Sequence, residues 1–243
     1  TVKQLAFLIS EVGNNPERIA EIVENVERCS VIVPIIISCA RIVSSLDPRS
    51  TQSTIKSTVQ LYCNQTENLT PILSFQNSKR LCDNINWLQR VRDQLEAAPI
   101  TPELLKTNIK QPFPYCPSWW EPGVHDILLL NHLTDYGFYN ISSLVLENEN
   151  FSKNLSDDEK EYIKAIDEKK RKHGFLKQVK GQLSFIFQEE NLMSFIEELI
   201  LMNGGWVTPY YIDIPEKFRS GVQLPVSYGS EMVESIGDGK LQM

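Results

Sequence analysis

The stretch WWEPGVHDILLLNHLTDYGF, residues 119–138, decides the fold. Val124 to Leu133 is apolar and reads as a helix. Tyr136-Gly137-Phe138 closes it, with Gly137 suited to the C-cap, where a left-handed backbone is needed. Trp119 and Trp120 stand just ahead of it. Paired indoles there predict an aromatic cap over a small helical core, because each ring buries a large area and keeps one N–H for a partner.

Working outward, the periodicity stays helical. Leu5, Leu8, Ile9 and Val12 recur on one helical face. Gly13-Asn14-Asn15-Pro16 breaks that helix, and Pro16 suits the first turn of the next. Ile19, Ile22, Val23 and Val26 form a second stripe. Ser30 to Leu46, apolar nearly all round, predicts a buried third helix with Pro34 near its start. Its β-branched residues leave a strand as the alternative; its length favours helix. Ile55, Val59 and Tyr62 suggest a short helix, and Gln65 to Pro71 a polar loop. Asp83 is the expected N-cap of a helix carrying Ile85, Leu88, Val91 and Leu95, ended by Pro99. Thr101-Pro102-Glu103 starts a short helix. Five prolines between Pro99 and Pro117 predict a stiff connector. Ser156 with Glu159 is a capping box. Leu192, Phe195, Ile196, Leu199 and Ile200 mark a last amphipathic helix, ended by Gly204-Gly205. The segment after it reads as extended.

Composition narrows the function. The 243 residues are 42% hydrophobic and 23% charged, enough to bury a core. The net charge of −7 excludes a uniformly basic nucleic-acid coat. The longest apolar candidate, Val31–Ile37, is too short to span a membrane. The chain begins at Thr1, without Met or a signal-peptide pattern, and reads as a piece of a larger protein. Five cysteines (Cys29, Cys39, Cys63, Cys82, Cys116) lie far apart with no CxxC. We expect them reduced, which suits a cytosolic or nuclear protein. The sequons at Asn64, Asn68, Asn140, Asn150 and Asn154 are expected chance triplets of an Asn-rich chain.

No nucleotide-binding glycine loop and no HExxH is present. His125 and His132 lie two helical turns apart, too far for one ion. His125 and Asp126 are sequence neighbours and should point apart on a helix, so no acid/base pair is expected. We expect no metal, no cofactor and no reaction of the chain's own.

Charge concentrates in one place. Residues 163–182 carry seven basic groups against two acidic ones. The basic groups are Lys164, Lys169, Lys170, Arg171, Lys172, Lys177 and Lys180. They are candidates for phosphate contact and, at 169–172, for a nuclear-import address. A solvated helix face is the plain alternative, since Glu159, Glu161, Asp167 and Glu168 lie nearby. A smaller cluster is Lys79, Arg80, Arg90 and Arg92, partly offset by Asp83 and Asp93.

The pattern W-x(5)-D-x(2)-LL-x(6)-G-[YF], in Trp120, Asp126, Leu129, Leu130, Gly137 and Phe138, resembles the Myb-related SANT/SLIDE repeat of chromodomain-helicase (CHD) chromatin remodellers. His125-Asp126 with Leu129-Leu130 is most similar to the Mi-2 type branch, and the doubled tryptophan to the Kismet-like branch. Leu73 to Leu95 resembles the helix that joins the two repeats of that family. Residues 1–46 resemble a divergent SANT-like repeat, so the resemblance covers about residues 1–150. Where the family places a Trp after the Gly-aromatic turn, this chain has Ile141. Where a basic residue follows, it has Leu144, Val145 and Leu146.

The resemblance implies an all-α chain of two small helical lobes. Residues 1–62 would be a SANT-like lobe, 63–115 a connector with a bridging helix, 116–202 a SLIDE-like lobe with an insertion, and 203–243 an extended tail. It implies a nuclear, non-catalytic accessory module of a protein whose ATP-driven motor lies outside this chain. The expected partner is duplex DNA flanking a nucleosome, met by Lys169, Lys170, Arg171, Lys172, Lys177 and Lys180, then Lys79, Arg80, Arg90 and Arg92. The other reading is a docking module for a protein subunit of a chromatin complex, with Trp206, Tyr210 and Tyr211 as aromatic anchors.

Overall fold

The computed structural model describes residues 1–63, 69, 73–173 and 182–203; for 62, 63 and 167–173 only the backbone is considered. Every regular element among these residues is a helix. No described helix is long and apolar enough to cross a membrane.

The first helix, α1 (Val2–Val12), opens on a capping box between Thr1 and Gln4 and stops at Gly13. In α2 (Pro16–Val23), Asn15 Oδ1 accepts from the Arg18 N–H at 3.0 Å, and Pro16 sits in the first turn as expected. Val26 does not extend that stripe. Asn25 caps a new helix, α3 (Val26–Ser44), and Val26 begins it on the solvent side. Nor is α3 buried all round. Val33, Ile36, Ala40 and Val43 face the core, while Val31 is 56% exposed. Pro34 lies on that outer face, where the carbonyl left without a partner can reach water.

Next, α4 (Gln52–Cys63) lays Ile55 and Val59 on α3. The long α5 (Phe75–Ala97) starts at Ser74, whose Oγ accepts from the Asn77 N–H at 3.2 Å. Asp83 is therefore not the N-cap. It lies mid-helix and pairs with Lys79 at 2.8 Å. The helix runs back to Phe75 because Ser78, Leu81, Ile85 and Leu88 continue one buried face. That face lies against α1, α3 and α7.

The proline-rich segment packs instead of standing off. It contains α6 (Pro102–Asn108), capped by Thr101, and it buries Leu105, Ile109 and Phe113. Phe113 meets Phe195 edge-on at 5.4 Å. Then follow α7 (His125–Tyr136), α8 (Ile141–Glu147), α9 (Glu149–Ser152), α10 (Asp157–His173), α11 (Ser184–Phe187) and α12 (Glu189–Met202). The Ser156/Glu159 capping box forms, with Ser156 N–H donating to Glu159 Oε2 at 2.9 Å. The predicted Gly204-Gly205 stop and the extended tail lie outside the described residues.

One cysteine departs from expectation. Cys29, Cys82 and Cys116 are free thiols, but Cys39 is disulfide-bonded. Cys39 is fully buried on α3.

Candidate functional site

The start of α7 is assembled around Trp120. Its indole is 3% exposed, and its Nε1–H donates to Asp126 Oδ1 at 2.8 Å. The other carboxylate oxygen accepts the Gly123 N–H at 2.8 Å. Asp126 thus holds the 120–124 turn over the helix it begins, with its charge at the favourable end of the helix dipole. Burial raises its pKa above its ordinary value, while the two hydrogen bonds and nearby His125 pull the other way.

His125 faces a different way along the same turn. Its Nδ1 accepts the Glu121 N–H at 2.7 Å, and its Nε2 lies 3.0 Å from the Asn150 carbonyl. These contacts require the proton on Nε2. The two neighbours do serve different partners, as helical geometry predicts. Both still reach Trp120, because the turn folds back: the imidazole lies 5.0 Å from the indole. Both nitrogens and both oxygens of the pair are engaged within the chain.

Around Trp120 stand Phe151 at 5.7 Å, Phe185 at 5.4 Å and Phe195 at 5.8 Å, all edge-on. Trp119 is half-buried at the rim and donates to Gln182 Oε1 at 3.1 Å. Tyr115 closes another side, its hydroxyl donating to Glu198 at 2.9 Å. Beside it, burial pushes the Cys116 thiol up to about 12.

The other end of α7 is a junction. Gly137 has φ +61°, and a Cβ there would lie 2.2 Å from the Glu11 carbonyl oxygen. The next residue, Phe138, donates its N–H to that same carbonyl at 2.7 Å and stacks on Trp87 at 5.5 Å. Arg92 completes the joint. Its Nε donates to Thr134 O at 2.9 Å and its Nη2 to Val12 O at 2.8 Å, so one guanidinium caps the ends of α1 and α7.

This placement changes how the smaller basic cluster reads. Arg92, a candidate phosphate contact by sequence, is half-buried and committed to two carbonyls. Lys79 is ion-paired with Asp83. Arg90 Nε donates back to Asn86 O at 3.4 Å, and Arg80 is also engaged. The cluster is not gathered as four free charges. In the larger run, Lys164 is exposed on α10. Lys169, Lys170, Arg171 and Lys172 continue the α10 backbone, but their side chains lie outside the described residues. So do Lys177, Lys180, Trp206, Tyr210 and Tyr211.

Sequence reasoning missed a polar contact that links three helices. Asn84, buried on α5, donates to Ser10 O on α1 at 3.1 Å and to Glu189 on α12 at 3.2 Å. Its signal was an asparagine inside the apolar stripe between Leu81 and Leu88. Trp87 Nε1 similarly reaches Glu197 on α12 at 2.7 Å. Among the described residues, no three His, Cys, Asp or Glu side chains gather as a metal-binding group. Comparison of the chain with protein-family models, curated proteins and solved structures finds no match.

Proposed function

We propose that this chain is a non-catalytic, nuclear accessory module of an ATP-dependent chromatin-remodelling protein, and that it holds duplex DNA flanking a nucleosome. The observation that carries this reading is the economy of residues 119–138. Each residue of the Trp-Asp-Leu-Leu-Gly-Phe pattern has a packing or capping task within a helical body. The pattern that resembles the SANT/SLIDE repeat is therefore explained as scaffold. The remaining chemistry is binding through the basic run from Lys164 to Lys180. Contacts of this kind neutralise phosphates and carry little sequence information. With four to six such contacts, log affinity should fall with log salt at a slope of about −4 to −5. The test is a fluorescence-anisotropy titration of the full chain with labelled duplexes of unrelated sequence across a salt series. Reversing Lys169, Lys170, Arg171 and Lys172 to Glu should weaken binding more than about tenfold. Unchanged binding by the reversed protein, or none at low salt, would remove the reading.

A second reading, docking of a protein subunit of a chromatin complex, is favoured by one observation. Ile141 and Val145, where the family places Trp and basic residues, are buried. That part of the chain offers no cationic contact, and the net charge is acidic. A pull-down in which deletion of residues 206–243 leaves every partner bound would reject the tail, with Trp206, Tyr210 and Tyr211, as the docking element.

A further inference from the structure

A chain of net charge −7 repels a polyanion, so a duplex can approach only where carboxylates are sparse. They crowd the second half: α10 opens on Asp157, Asp158 and Glu159, and α12 carries Glu189, Glu190, Glu197 and Glu198. Helix α4 has none. It lies against α3 and is joined to it by residues 45–51, so the last turn of α3 and the first turns of α4 make one corner. That corner holds three exposed cations: Arg41 in the last turn of α3, Arg49 in the connection and Lys56 on α4. The ion pairs among the described residues are made by Arg18, Lys79, Lys106 and Lys160, and Arg41, Arg49 and Lys56 take part in none of them. One carboxylate shares the corner: Asp47 Oδ1 accepts the Arg49 backbone N–H at 2.7 Å. The nearest acid on α3 itself, Glu27, stands fourteen residues before Arg41. That is about 21 Å along the helix, or about two Debye lengths at 0.1 M salt.

We propose that the α3–α4 corner is a second phosphate-contacting surface, on which Arg41, Arg49 and Lys56 meet the backbone of duplex DNA. The inference rests on the duplex-binding reading of the chain and adds a surface to it. The sequence offers Lys79 and Arg92 as the smaller cationic cluster, but the fold commits them to Asp83 and to two backbone carbonyls. The cations it leaves uncommitted lie on the α3–α4 corner instead. Contacts from these side chains are charge-assisted and indifferent to base sequence.

The test titrates the full chain with a labelled duplex by fluorescence anisotropy across a salt series. Arg41→Glu, Arg49→Glu and Lys56→Glu together should weaken binding more than about tenfold at low salt and make the salt slope shallower by about 2–3. Reversal of Lys3, Lys110 and Lys153, also exposed, changes the net charge equally and should weaken binding less than about threefold. A second measurement needs no variant: bound duplex should slow acetylation of Lys56 in the unmodified chain and leave Lys3 and Lys110 unaffected. Equal weakening by the two reversals, unchanged binding by the corner reversal, or acetylation of Lys56 at the same rate with and without duplex overturns the second surface and leaves the duplex reading standing. No duplex binding by the unmodified chain at low salt overturns both.

Discussion

The described residues form two differently made cores. The core of α1 to α5 is aliphatic. Leu5, Ile9, Val12, Ile19, Val33, Ile36 and Val59 are delivered by helices at regular spacing. The core around Trp120 is aromatic, and short pieces deliver it: Phe113 from a proline-rich segment, Trp120 from a turn, Phe151 from α9 and Phe185 from α11. Long helices fix the register of many small side chains through their period. Short elements cannot, so each brings one large ring whose orientation is set by edge-on packing and, for Trp120, by a hydrogen bond to Asp126. The two cores meet at α5 and at the Gly137 turn.

Breaking the junction should cost most. Gly137→Ala places a Cβ against the Glu11 carbonyl at a left-handed backbone position, and should destabilise the chain by about 4 kcal/mol in urea unfolding. Gly13→Ala meets side chains instead of backbone, an Arg92 nitrogen at 3.1 Å and Leu88 at 3.2 Å, and should cost about half as much. The aromatic core can be probed at its centre. Trp120→Phe keeps a ring but leaves the buried Asp126 short of a donor, and should cost about 2 kcal/mol. Arg92→Met should cost about 1–2 kcal/mol by uncapping Val12 and Thr134, and should leave duplex affinity and its salt slope unchanged.

The smallest effects sharpen the contrast. Ser78 Oγ is buried on α5 and has no hydrogen-bond partner among the described residues, so Ser78→Ala should be neutral or stabilise by up to about 1 kcal/mol. Asp126 gives a pH signature. Its folded pKa is raised above its unfolded value, so its ionised form costs stability at neutral pH. Acidification through the folded pKa toward about 3.8 relieves that cost. The stability of the unmodified chain relative to Asp126→Asn should therefore rise over that interval in paired urea titrations.

Locally coded features were largely legible in both halves. Pro16, the Leu5–Val12 stripe, the Ser156 capping box and the last amphipathic helix all act locally, through spacing and caps. The start of α5 was misplaced because Gln76, Asn77, Lys79 and Arg80 make its first turns polar, which hid Ser74 behind the more conspicuous Asp83. Gly137 was legible as a helix stop but not as a joint, since its contact with Glu11 joins residues far apart in the chain. Arg92 looked like a surface charge for the same reason: nothing local announces that it caps two distant helix ends. Of the candidate site, the role of Trp120 as a cap was readable, while its partners Phe151, Phe185 and Phe195 required the fold.

The claim on which the rest depends is that the two cores are one cooperative body, joined at Gly137. Hydrogen exchange by mass spectrometry along a urea series tests it directly, by following α3 for the aliphatic core and α12 for the aromatic one. The account predicts that both helices lose protection together in the unmodified chain and at separate urea concentrations in Gly137→Ala. Separate loss of protection in the unmodified chain would contradict it.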